Sequence, residues 1–229
     1  MTKRLFITLV TLTIYLTSFG QHDFGVKASG GLSYFTTKRL HPWTGQSQTF
    51  YYRLSGQGGV FYNLHIGNHS VIGTELLFSQ IEGREILKNP TFDQFNNLTG
   101  QTITFDMYRH VSYLSIPIYY GFAYKKIQVN IGPQISFRLL CRENWKIKAP
   151  DGNGGYLNET SQSNNIRELR DYDAGAKVGL SFALTSKLAI EASYYYGLIN
   201  LYIFTSTYQK WGIQQATIGL RYKIFHAGA

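Results

Sequence analysis

Eight stretches of alternating apolar and polar residues, joined by connections that are long and short in strict turn, constrain this chain more than any single motif. The stretches lie at about residues 24–35, 54–64, 71–81, 108–122, 127–137, 172–182, 188–196 and 216–224. A period of two is the signature of a strand with one apolar face. In the fifth, Ile127, Val129, Ile131, Ile135 and Phe137 oppose Gln128, Asn130, Gln134 and Ser136. The connections at 36–53, 82–107, 140–171 and 201–212 are long or of medium length, whereas those at 67–69, 124–126 and 185–187 are short. Short periplasmic turns alternating with longer extracellular loops are the pattern of outer-membrane barrels. Inside hydrocarbon every backbone N–H and C=O must be paired, and a closed barrel is the spanning sheet that achieves this. The expected fold is therefore all-β, an eight-stranded antiparallel up-and-down transmembrane β-barrel. Its apolar faces look out to lipid and its polar faces fill the interior. A soluble sandwich or lipocalin-like barrel would turn the apolar face inward and leave a water-facing surface of small residues with few charges.

Composition agrees. Charged residues make up only 15% of the chain, aromatics 16%, with 18 Tyr, 15 Phe and 23 Gly. Soluble domains carry roughly 25% charged residues, and disordered chains lack the aromatics. The mean hydropathy of −0.17 is far below that of a helical membrane protein.

Residues 1–20 read as a secretory signal: Lys3 and Arg4 precede an apolar run over 5–19, with Ser18 and Gly20 at a small-x-small cleavage pattern. The run is too short for a helical span. The expected domains are thus a signal peptide at 1–20 and an outer-membrane barrel domain at 21–229. Cleavage removes two of the 22 Lys and Arg and none of the 13 Asp and Glu, leaving 20 against 13, or +7. That excess is spread along the chain. It suits attraction to anionic outer-membrane lipid and lipopolysaccharide phosphates, while export and the lack of a recognition motif argue against nucleic acid. With Cys141 as the single cysteine, neither an internal disulfide nor a cysteine metal cluster is available.

Two stretches resemble the PorT-type outer-membrane β-barrel family of Bacteroidota. Tyr113-Leu114-Ser115-Ile116-Pro117-Ile118 is similar to the family's Tyr-Leu-x-Ile-Pro-Leu segment, with Ser115 where an acid is often found. Residues 188–200, with Leu188, Glu191, Tyr194, Gly197, Leu198 and Asn200 at the matching places, resemble a second family pattern. Phe19-Gly20-Gln21 fits the exported proteins of that phylum. The resemblance implies a non-enzymatic, monomeric barrel without cofactor, a structural or accessory component of a surface or secretion assembly. The founding member is associated with type IX secretion, and other members are called porin-like. One departure is the tail His226-Ala227-Gly228-Ala229, which follows the terminal aromatics Tyr222 and Phe225.

Three groups of residues are candidates for function. Lys27, Glu75, Lys177, Glu191, Arg221 and Lys223 share the inward parity, mostly in the periplasmic half. They form a polar pathway or a docking site for a periplasmic partner, or else a salt-bridged plug, and the narrow bore of eight strands favours the plug. His110 and Ser112 share the lipid-facing parity and resemble the catalytic pair of the lipid A 3-O-deacylases. A third group to orient the imidazole is missing from the fourth and fifth stretches, which hold no acid between Asp106 and Glu143. Tyr120, Phe122 and Tyr124 at one end, and Tyr202, Phe204, Tyr208 and Trp211 at the other, suit interfacial girdles. Trp43, Tyr51, Tyr52 and Trp145 lie on loops, where exposed aromatics favour recognition. The glycine-rich run at 152–155 lacks the Lys-Ser/Thr of a phosphate loop, and the scattered histidines, of which His65 and His69 are the nearest pair, lack further ligands for a metal. The readings left open are an assembly component, a narrow channel and a lipid A-modifying enzyme.

Overall fold

The computed structural model describes residues 21–39, 46–92, 98–151, 155–163, 169–201 and 209–227. The proposed signal segment, Trp43, Tyr202, Phe204 and Tyr208 lie outside them. Nine strands form one antiparallel sheet: β1 (Gln21–Arg39), β2 (Ser47–Ile66), β3 (Ser70–Phe92), β4 (Leu98–Tyr124), β5 (Ile127–Pro150), β6 (Tyr156–Ser163), β7 (Tyr172–Ala183), β8 (Leu188–Gly197) and β9 (Gln209–Ala227). Among the described residues no helix is long and apolar enough to cross a membrane. The strand order β4-β3-β2-β1-β9-β8-β7-β5 is closed by pairing of β4 with β5, so eight strands make a ring and β6 hangs from β5 outside it. The first and last strands meet in a long seam running from His22↔Ala227 to Arg39↔Gln209. Turns at 67–69 and 125–126 and bends at 184–187 close one end, as expected. Gly67 adopts φ +67° there and Lys125 φ +55°, the left-handed twist that tight hairpin turns demand.

The faces sort as the alternation requires. Phe24, Val26, Leu76, Phe78, Ile118, Ile131, Ile135, Val178, Leu180, Ile218, Leu220 and Tyr222 are exposed on the outside. Lys27, Asn63, Glu75, Gln134, Ser136, Lys177, Glu191 and Arg221 are buried within. An outward apolar band around a polar interior excludes the soluble barrel, since in water the same chain would expose its apolar band and bury its ions.

The expected long loops are corrected. Residues 47–53, 82–92, 98–107 and 140–150 continue β2, β3, β4 and β5, and 156–163 form the extra strand β6. About ten residues of a tilted strand cross a bilayer, so much of the 27-residue β4 stands beyond it. Alternation persists on these extensions, with Glu85 and Leu87 buried and Arg84 and Ile86 half-buried. The outward face meets water there and need not be apolar, which erased the signal on which the strand boundaries rested. β6 pairs with the upper half of β5, from Glu143↔Ser163 to Pro150↔Tyr156, after β7 has left it at Phe137↔Tyr172.

Adjacent glycines in the seam test this arrangement. A β-carbon at Gly31 would overlap the Ala216 carbonyl oxygen, whereas at Gly30 it finds only the Ser55 carbonyl oxygen at 3.8 Å. Gly31→Ala is expected to destabilise the barrel by about 1–3 kcal/mol, the usual cost of overpacking, and Gly30→Ala to leave it unchanged. The measurement is the temperature at which the fast-migrating folded band on electrophoresis converts to the heated form. Equal behaviour of the two variants would contradict the register.

Candidate functional site

The interior is built in layers. At the periplasmic end Asp23, fully buried, accepts from Lys223 Nζ at 2.8 Å and contacts His65 Nε2 at 2.8 Å and His226 Nδ1 at 2.6 Å. Strands β1, β2 and β9 are thereby tied at one carboxylate. The tail residue His226 belongs to this tie.

Above it lies the main ionic layer. Lys27 Nζ donates to Glu75 at 3.1 Å and to Glu191. Lys177 Nζ donates to Glu75 at 2.7 Å. Arg221 donates to Glu191 at 2.8 Å and to the Tyr119 hydroxyl at 3.0 Å, and Tyr119 in turn donates to Asn63 at 2.6 Å. The Arg221 guanidinium lies 4.1 Å from the centre of the Phe61 ring. Five of the six expected residues thus meet across the lumen from β1, β3, β7, β8 and β9. Lys223 stands one layer nearer the periplasm, on the buried Asp23, because two residues further along a strand is a different height in the barrel.

The outer half departs from the expected polar filling. Phe35, Ile81, Val111, Tyr113, Cys141, Tyr195 and Ile213 form a buried apolar cluster, joined by Leu169 and Leu201 from the connecting segments. Arg170 N–H donates to the Leu201 carbonyl at 2.7 Å, and Leu201 N–H to that of Trp211 at 3.1 Å. These bonds hold both leucines over the mouth of the barrel. Trp211 packs against this cluster rather than in a lipid girdle. A second ionic group caps it: Arg109 donates to Glu85 at 2.9 Å and to Glu143, with its guanidinium 3.9 Å from the Trp211 ring centre. Sequence reasoning missed Glu85, Arg109 and Glu143 because each falls on a stretch read as loop or at its edge. Continuing the inward parity of β3 and β4 would have found Glu85 and Arg109, whereas Glu143 lies beyond an extra residue at Leu139 that switches the parity of β5.

The His110–Ser112 pair is altered by the neighbouring strand. Glu82 lies opposite His110 in the β3–β4 register, and its Oε1 is 3.1 Å from the imidazole Nδ1. An acid does therefore reach the histidine, from a strand extension that had been read as loop. Among the described residues the hydrogen-bond partner of the ring is Glu82 and not Ser112. Ser112 sits at a register shift between β4 and β5 and is 5% exposed. A nucleophile covered in this way is not presented to an acyl carbonyl. No group of three or more ligating side chains among the described residues could hold a metal ion. Tyr120, Phe122 and Tyr124 are exposed at the periplasmic end, where amphipathic rings suit headgroup depth. Tyr51 and Tyr52 are exposed on β2, and Trp145 is half-buried on β5.

The charge count of the main layer generates a prediction. Three cations face two carboxylates, so loss of Glu75 leaves three cations around Glu191, while loss of Lys177 leaves two of each sign. Breaking a buried pair costs about 3–5 kcal/mol when a charge is stranded. Glu75→Gln is expected to lower the urea midpoint of the detergent-solubilised barrel strongly, and Lys177→Met much less. Tryptophan fluorescence reads both. The reverse order would show that the excess of cations over carboxylates does not govern the stability of the layer.

Comparison with known proteins follows this geometry. No curated protein matches the sequence. Among solved structures, Neisserial surface protein A is 15% identical, over 90% of this chain and 99% of that one, with a TM-score of 0.43. The attachment invasion locus protein Ail of Yersinia pestis is 12% identical over 90% and 99%, with a TM-score of 0.38. The outer membrane protein OprG from Pseudomonas aeruginosa is 10% identical over 91% and 97%, with a TM-score of 0.43. A family model described as outer membrane protein beta-barrel domain matches residues 18–202. That match covers most of the 229 residues. The chain belongs to the outer membrane protein beta-barrel domain family.

Proposed function

We propose that this outer-membrane protein is a non-conducting, non-enzymatic barrel of PorT-like role, an anchor or accessory component of a surface or secretion assembly. The observation that carries the reading is the filled lumen: two ionic layers and, between them, an apolar cluster completed by Leu169 and Leu201. An eight-strand barrel has room for its own side chains and little else. Here those side chains engage one another across the bore. Such a barrel offers an assembly its surfaces and not its interior. The surfaces available are the periplasmic turns and the five-stranded extension of β2–β6 beyond the membrane. Ring closure satisfies the backbone within one chain, which supports a monomer in the membrane. The covered Ser112, which is not the hydrogen-bond partner of the His110 ring among the described residues, supports a non-catalytic role.

Two measurements test this. Purified protein in planar bilayers is expected to give no steady single-channel conductance, and a defined open state would favour the narrow channel instead. Native protein extracted in mild detergent is expected to bring down a reproducible set of envelope proteins, identified by mass spectrometry. A barrel that comes down alone would overturn the assembly role. For the enzyme alternative, His110→Ala and Ser112→Ala are expected to leave the acyl pattern of lipid A unchanged.

A further inference from the structure

Above the apolar band, the outward faces of β2–β5 carry a concentration of cations that neither the fold nor the filled lumen requires. Pairing across β3, β4 and β5 gives the heights. Phe78↔Leu114↔Phe137 belongs to the band, and Gln80↔Ser112↔Leu140 marks its upper edge. The next rows outward are Glu82↔His110↔Arg142, then Arg84↔Tyr108↔Asn144, then Ile86↔Asp106↔Lys146. Tyr108 stands at the centre. The guanidinium carbons of Arg84 and Arg53 lie 4.9 Å and 5.6 Å from its ring centre, and Lys146 Nζ lies 6.0 Å away.

The charges are not balanced locally. Arg84 is held by Asp106 through two hydrogen bonds of 2.8 Å, and Glu82 faces His110. Among the described residues no carboxylate forms an ion pair with Arg53, Arg142 or Lys146. Arg53, Arg109 and Arg142 line one hollow of about 350 Å³ with Tyr108, Asn144 and the Glu82–His110 pair, whose carboxylate is engaged by the imidazole. Directly beneath, beside the exposed Gln80, lie exposed apolar side chains: Leu54 is 77% exposed, Leu139 56% and Leu140 41%.

We propose that this face binds a phosphorylated, acylated glycolipid of the outer leaflet, of the lipid A class. Its phosphate sits between Arg53 and Arg142 and within reach of Lys146, and its acyl chains lie on Leu54, Leu139 and Leu140. The guanidinium fork matches a phosphate with two parallel charge-assisted hydrogen bonds, and lysine adds a point charge. Tyrosine at headgroup depth is suited to the sugar between them. A free phosphate would use the cations and leave the leucines unused, whereas a neutral lipid would do the opposite. The juxtaposition selects a molecule that carries both parts. The inference rests on the reading of the chain as an outer-membrane barrel and is independent of any assembly role.

The test uses the full barrel in nanodiscs of neutral phospholipid, titrated with diphosphoryl lipid A, with the same lipid after phosphatase treatment, and with inorganic phosphate. Retained ligand is read by native mass spectrometry. Lipid A is expected to bind at least about tenfold more tightly than its dephosphorylated form, a difference that one charged contact can supply. Arg53→Gln with Arg142→Gln is expected to abolish that difference, and Lys146→Gln alone to reduce it. Lys125→Gln with Lys126→Gln, at the periplasmic turn, is expected to leave it intact. All variants are checked for the heat-shifted mobility of a folded barrel, and Lys146→Gln, on the strand extension, keeps the test decisive if the arginine double variant fails to fold. Equal binding of the two lipids, or wild-type binding by the folded variants, would overturn the proposal. Preferential retention of inorganic phosphate over lipid A would also overturn it, assigning the cations to a soluble anion.

Discussion

The hydrogen-bonded closure of the sheet is the constraint on which everything else depends. Lipid offers no partner for a backbone N–H or C=O, so a spanning sheet cannot have an edge. In this chain the condition is met by the seam between the first and last strands and by the return of β4 onto β5. The extra strand β6 does not interrupt the ring, because it attaches to β5 only above the point where β7 takes over. The Asp23 carboxylate reinforces the seam from inside, holding Lys223 and His226 of β9 and His65 of β2. Removal of any one ring strand would expose two rows of backbone groups to hydrocarbon.

Closure with eight strands then determines the interior. An eight-strand interior is about wide enough for its own side chains, and those from facing walls satisfy one another. Buried charges persist when they are paired and hydrogen-bonded. The main layer meets that condition with Lys27, Lys177 and Arg221 around Glu75 and Glu191, and with Tyr119 and Ser181 taking the remaining contacts. Towards the outside the filling changes from ionic to apolar. Leu169 and Leu201 fold in and an apolar cluster forms. Beyond this cluster Arg109, Glu85 and Glu143 return the filling to ions, paired between the neighbouring strands β3, β4 and β5.

The membrane-embedded half of the molecule was legible from its residues, and the half beyond the membrane was not. Within the bilayer an outward residue must be apolar, so Leu114, Ile116 and Ile118 announce both strand and face. At Arg84, Glu85 and Ile86 both faces tolerate polar groups, and β3 was cut short there although it runs on to Phe92. The consequence reached the candidate sites. Glu82, the acid beside His110, and Glu85, the partner of Arg109, lay on residues assigned to a loop. Parity gives the face of each member of the inward ionic set, and it does not give the height at which Lys223 meets Asp23.

Alternation alone determined that this chain is a transmembrane barrel of eight spanning strands, which faces meet lipid, and that Lys27, Glu75, Lys177, Glu191 and Arg221 share the inward face. It could do so because the solvent on each side of a spanning strand dictates the residue at every second position. Only the tertiary structure decided which side chains meet across the lumen, that Asp23 and not Glu191 holds Lys223, and that four arginines and lysines gather around Tyr108 above the band. Partners across a barrel depend on strand register and tilt, and a periodicity of two carries neither.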